Sequence, residues 1–220
     1  SLLNPLLNKP IEIENFGGKL VYSNNLLKID CKCKPNGKKQ LSRSKEVNEP
    51  NINEINIVGE IPIELSLTKK EFQERLLDKA MDVTITAKLD SKLVDYFLPE
   101  DSDLATSSGL FELKAKLGNI PRMPKFIGEI DFGNVNLVST MLPQKIEKVR
   151  GNISFSANSS NIGNFDNIEL ALNTLDFSIG EADYKGKGRF WSSRERKIPQ
   201  YFIFNFTGKN IELTPLVNHF

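Results

Sequence analysis

The chain has 220 residues, 39% of them hydrophobic and 26% charged, which is enough apolar material for one large or two modest folded units and too much for disorder throughout. With 29 Lys and Arg against 28 Asp and Glu, its net charge is +1, so no long-range field draws it to nucleic acid or to an anionic membrane. One histidine, His219, stands beside the last residue. Triad chemistry and multi-histidine metal sites therefore have almost nothing to build on.

Taken in chain order, the dominant signal is alternation of apolar and polar residues, the period of a half-buried strand. Leu20 and Tyr22 alternate, then Leu27, Ile29, Cys31 and Cys33. Ile55 and Ile57 follow, then Ile61, Ile63 and Leu65, and next Val83, Ile85, Ala87 and Leu89. Beyond Gly109 the rhythm returns in Phe111, Leu113, Ala115 and Leu117, then in Ile130 with Phe132 and in Val135 with Leu137. Ile153 and Phe155, Ile168 with Leu170 and Leu172, Phe177 with Ile179, and Phe202 with Phe204 and Phe206 complete the series. Each set puts apolar groups on one side and Lys, Glu, Asn, Ser or Thr on the other. That pattern predicts an all-β protein whose antiparallel sheet has one dry and one wet face.

Helix signals are few. Thr68 to Glu71 has the form of a capping box, and Phe72, Leu76, Leu77 and Ala80 share one stripe, which predicts a short amphipathic helix over 68–80. A second short helix is predicted from Lys92 to Leu98, capped by Ser91 and ended by Pro99. Between Pro35 and Pro50 the chain is rich in Lys, Ser, Asn and Glu and almost without apolar residues, and reads as a disordered insertion with solvated charges. Cys31 and Cys33 lie two apart on one strand face, roughly 6.5 to 7 Å between α-carbons, so a direct bridge needs a distorted strand. They read as free thiols acting as small apolar residues. No apolar run reaches the ~20 residues of a membrane-spanning helix, and the first residues lack the pattern of a signal peptide. The absence of an initial Met, with the terminal Pro215 to Phe220 breaking off mid-pattern, suggests a piece of a longer protein.

Compared with itself, the chain repeats. Pro10, Ile13, Phe16, Gly18, Leu20 and Tyr22 match Pro143, Ile146, Val149, Gly151, Ile153 and Phe155 at one constant offset, and Gly59 to Ile63 finds a later counterpart in Gly188 to Phe190. Duplication of a β unit follows, with a first unit over 1–80 and a second over 81–220, continuous in one elongated sheet.

Searched for chemistry, the sequence offers little. Glu100, Asp101 and Asp103 match only the opening of a calcium loop, with no glycine at its sixth place and no glutamate at its twelfth, so a turn after Pro99 accounts for them better. Gly186-Lys187-Gly188 is too short to cradle a phosphate and reads as a strand turn. Trp191 to Lys197 places cations beside an aromatic and suits lipid headgroups or single-stranded nucleic acid, but reads first as an exposed hairpin loop. The reading is of a protein that is not an enzyme, with no catalytic, cofactor or metal residues assigned.

Three stretches carry a family resemblance. Ser108 to Gly118, leading through Pro121 or Pro124 to Phe126-Ile127-Gly128-Glu129-Ile130, is the first. The second is Gly133-Asn134-Val135-Asn136-Leu137 with Met141-Leu142-Pro143 and Ile146 to Phe155, and the third is Ile168-Glu169-Leu170 through Gly188. Their order, over roughly residues 10 to 215, resembles the repeating unit of the TamB/AsmA-like family of Gram-negative envelope proteins and its cyanobacterial and plastid branch. The resemblance implies an elongated, curved sheet, a β-taco or open β-jelly roll, with an apolar concave groove. Residues implied to line that groove are Ile85, Leu113, Ile130, Phe132, Ile153, Phe155, Leu170, Leu172, Phe177 and Phe204.

The same resemblance implies a non-catalytic segment of an envelope-spanning bridge, supporting phospholipid transport or outer-membrane protein assembly. Its implied partners are phospholipid acyl chains and, through the full-length protein, an outer-membrane β-barrel of the Omp85/TamA type. The implied place is the periplasm, anchored to the inner membrane outside this segment, or the intermembrane space of a plastid. The competing expectations are a structural β-solenoid or adhesin-type stalk filled by its own side chains, and a hydrolytic or carbohydrate-active β-sandwich.

Overall fold

A computed structural model describes residues 12–36, 53–65, 72–91, 104–139, 144–161, 164–193 and 201–209. Within them the strands are β1 (Glu12–Ser23), β2 (Leu26–Asn36), β3 (Glu54–Pro62), β4 (Met81–Asp90), β5 (Leu104–Asn119), β6 (Lys125–Ser139), β7 (Ile146–Asn161), β8 (Asn164–Ile179), β9 (Ala182–Ser193) and β10 (Tyr201–Lys209). They form one ten-stranded sheet in simple chain order, each strand antiparallel to the next, and β1 does not pair with β10. The fold is thus an open, elongated, curved antiparallel sheet, all-β as the alternation predicts and of the shape that the resemblance implies.

Local chemistry explains the meander. Asn24 and Asn25 both have positive φ, 52° and 60°, which is the backbone of the two-residue turn that matches strand twist, so β1 returns directly as β2. Asn119 adopts φ 70° where β5 ends, and its amide donates to the Met123 carbonyl at 2.7 Å to close the turn into β6. Between β3 and β4 sits α1, a single helical turn at Phe72–Arg75. It is shorter than the helix expected over 68–80: Leu76 bridges to Ile63, and Arg75 accepts the Glu64 amide at 2.8 Å, so strand-like pairing ends it after one turn. Positions 68–71, the 92–98 helix and most of the insertion lie outside the described residues. Pro35 and Asn36, placed in that insertion by composition, are the last residues of β2. Gly186-Lys187-Gly188 is no turn, but the middle of β9.

Several sets that read as separate strands are single strands with a bulge. Ile130 and Phe132 alternate in one phase and Val135 and Leu137 in the other; β6 keeps both on one face by a register shift between Phe132 and Val135, where Asn134 takes φ 53°. In β7 the shift falls between Glu147 and Arg150, with Lys148 at φ 55°, and in β8 it falls beyond Leu172. Bulges on neighbouring strands lie side by side and add to the bend of the sheet.

The internal repeat has a geometric counterpart. In β1 the register shifts between Glu14 and Gly17 with Asn15 at φ 50°, and in β7 it shifts between Glu147 and Arg150 with Lys148 at φ 55°. Glu14, Asn15 and Gly17 map onto Glu147, Lys148 and Arg150 by the same offset that aligns Gly18 with Gly151. Bulges of the same form thus stand at the matched positions of β1 and β7 within one unbroken sheet.

Candidate functional site: an apolar face across ten strands

Directly opposed residues in an antiparallel ladder share a face, so the register shows which side chains meet. Ile85 faces Ala115, Ala115 faces Gly128, Gly128 faces Phe155, and the line continues through Leu170 to Phe190. Next to it run Ala87, Leu113, Ile130, Ile153, Leu172 and Gly188, ending on Phe204. A third line joins Phe111, Phe132, Gly151, Leu175, Gly186 and Phe206. The ten residues proposed from sequence as groove lining all fall on this face, Phe177 through its pairing with Tyr184. At ~4.8 Å between neighbouring strands, the five or six steps of each line make it roughly 24 to 29 Å long.

The exposure pattern on this face is the reverse of a closed core. Buried positions on this face are mostly small or β-branched, Cys31, Cys33, Val83, Ala87, Ala115, Val135, Val149 and Ala157, with Met81 beside Val83 on β4. No phenylalanine is buried among the described residues, and Leu170 in mid-line is 38% exposed. Small side chains are hidden because larger neighbours overhang them; those larger side chains have nothing packed above them among the described residues. Both thiols are free and buried, as expected of small apolar groups, and Gly18 opposite Cys31 leaves room for its sulfur.

Glycines within the strands belong to this surface, a feature alternation does not reveal. A Cβ on Gly128 would lie 2.6 Å from Phe155 Cζ, one on Gly151 2.6 Å from Phe132 Cζ, and one on Gly188 2.5 Å from Phe204 Cδ2. The rings fill the space that a side chain on each glycine would take, which turns weak strand residues into part of an aromatic surface. Phe126 and Phe155 approach at 5.0 Å between centroids, Phe177 stacks on Tyr184 at 4.9 Å, and Phe206 meets Phe177 edge-on at 6.0 Å. Glycine inside an otherwise alternating strand was the available signal.

The opposite face is polar. Lys28 pairs with Glu60 at 2.9 Å, Lys32 with Glu54 at 2.7 Å, Lys88 with Glu112 at 3.0 Å and Lys116 with Asp82 at 2.8 Å. Farther along, the Asn152 amide donates to Asp131 at 2.7 Å and the Asn173 amide to Asn152 at 2.6 Å. Hydrogen bonds from Lys32 and then Asn56 hold the Glu54 carboxyl below its ordinary pKa. Among the described residues no three His, Cys, Asp or Glu side chains gather to hold a metal, and no helix is long and apolar enough to cross a membrane.

No protein-family model, no curated protein and no solved structure matches the chain.

Proposed function

We propose that the apolar face is a binding groove for extended hydrocarbon, the acyl chains of phospholipids, and that the chain acts without catalysis as a segment of a lipid-conducting bridge in a cell envelope. The observation that carries this reading is the inverted burial: small residues form a buried floor while Phe, Leu and Ile above them stay half-exposed across the sheet. An apolar surface of that extent is costly in water and calls for a partner. Each methylene buried against it contributes about 0.8 kcal/mol, so a chain lying along one line of side chains binds usefully with no polar contact to its headgroup. The fold class and the ordered Gly, Pro and aliphatic pattern support the TamB/AsmA-like reading, in which such a segment serves phospholipid transport or outer-membrane protein assembly from the periplasm, beside a barrel partner and an anchor elsewhere in the full-length protein.

Photo-crosslinkers placed at Phe155, Leu170 and Phe204 test it, in the presence of phospholipid. Capture of lipid at all three is expected, with the Leu170 adduct outcompeted by added fatty acid. Silence at all three positions, with the protein folded, rejects the groove and favours the self-filled stalk.

A further inference from the structure

The wet face of the sheet changes character at its last two strands. On β9 the outward positions are Lys185, Lys187, Arg189 and Trp191, each exposed and alternating with half-buried inward residues. Across the ladder Trp191 faces Tyr201 and Arg189 faces Ile203. Tyr201 is 56% exposed, Ile203 43% and Trp191 40%. Elsewhere on this face exposed apolar residues stand singly among polar neighbours, Val58 between Asp30 and Thr84 and Ile127 between Lys116 and Ser156. Single exposures of that kind are ordinary, whereas Trp191, Tyr201 and Ile203 are contiguous.

Charge follows the same division. Lys28, Lys32, Lys88 and Lys116 are each held by a carboxylate, and Lys19 and Lys114, which make no ion pair among the described residues, stand opposite Asp30 and Glu129, whereas Lys187 stands opposite Asn205 and Arg189 opposite Ile203. Lys187 and Arg189 make no ion pair among the described residues. Asp176, at the border, is already engaged by Arg150 at 3.1 Å and by Lys185 at 3.9 Å. Glu169, opposite Trp191, is the carboxylate within the patch. Behind the patch, Phe190, Phe202 and Phe204 occupy the other face of the same two strands, so among the described residues this corner alone is aromatic on both sides.

We propose that the outer face of β9 and β10 docks on an anionic lipid surface. Tyr and Trp favour the boundary between headgroup and hydrocarbon because the ring is apolar and its N–H or O–H is not, and unpaired Lys and Arg beside them meet the negative headgroups. Single-stranded nucleic acid is the weaker fit. The line on β10 facing the cations carries Ile203 and Asn205, where a strand-tracking groove calls for more cations. With the whole chain at net +1, the attraction is local and short-ranged. The inference rests on the outer face and holds whatever occupies the groove.

Trp191 is the only tryptophan in the chain, so its fluorescence reports on this patch alone. Added phosphatidylcholine vesicles containing a minority of phosphatidylglycerol should shift its emission to the blue, and lipids brominated on the acyl chain should quench it. Vesicles of phosphatidylcholine alone should act far more weakly. The paired reversal Lys187→Glu with Arg189→Glu should weaken binding at least about tenfold, leave far-UV circular dichroism unchanged, and leave binding of a soluble fluorescent fatty acid to the groove unchanged. Leu170→Arg should do the opposite, losing the fatty acid and keeping the vesicle. An emission maximum unmoved by anionic vesicles overturns the proposal. So does a shift that survives the charge reversal, or a stronger response to oligothymidylate than to vesicles.

Discussion

Strands β2 to β5 and strands β6 to β10 solve the same problem with different side chains. In the first group the dry face is floored by Cys31, Cys33, Val83, Ala87 and Ala115, all buried, and the wet face is laced by Lys–carboxylate pairs. In the second the dry face is paved with phenylalanines lying over Gly128, Gly151, Gly186 and Gly188, and the wet face turns to Asn and Ser hydrogen bonds before becoming basic and aromatic on β9 and β10. Alternation is the same in both halves. The difference shows that the binary pattern sets which face is dry, while residue size decides whether that face is a tight floor or a broad aromatic bed.

Substitutions can break that contrast, and the largest effect should come from the tight half. Ala115→Arg places an unpaired charge at a position with 4% exposure, and should cost roughly 3 to 5 kcal/mol, read as a fall in the denaturant midpoint or as failure to fold. Gly128→Val drives a side chain against the Lys114 carbonyl, 2.5 Å from the ideal Cβ, and against the Phe155 ring. About 1 to 3 kcal/mol should be lost, with near-UV circular dichroism reporting the displaced aromatics.

Leu170→Arg tests the open half. Because Leu170 is already 38% exposed, stability should change by about 1 kcal/mol or less while fatty-acid binding disappears. A collapse as severe as that of Ala115→Arg would show the face to be a covered core. Lys88→Ala removes an exposed pair with Glu112 and should cost under about 1 kcal/mol, less at high salt.

The smallest expected effect is the acid limb. Glu54 has a lowered carboxyl pKa because Lys32 and Asn56 hydrogen-bond its charged form, so its contribution is present above the ordinary carboxylate range and fades as pH falls through its lowered value. Glu54→Gln should flatten that limb of a stability–pH profile measured by denaturant titration.

Much of the fold was legible because a two-residue period leaves few alternatives. Ile153 with Phe155, and Phe202, Phe204 and Phe206 in turn, can place their side chains on one face only as strands. Where the phase slips, between Phe132 and Val135 and beyond Leu172, alternation reads as separate strands, and only the register shows one strand with a bulge. Gly18 and Gly151, matched in the sequence, follow bulges of the same form. The site was legible in part. Ile85 through Phe204 could be named as one apolar set, but the glycines beneath the rings and the patch of Trp191, Tyr201 and Ile203 could not. A glycine's role depends on which ring lies across the ladder, and Trp191 meets Tyr201 only through register.

Sequence by itself therefore determined the strands and their dry and wet sides, because both follow from the period of residues close in the chain. Tertiary structure alone decided where bulges carry β6 and β8 past a phase slip, and that Leu170 stays exposed while Ala115 is buried. Burial depends on what lies across a ladder or above a face, and neighbours distant in the chain leave no mark on a local pattern.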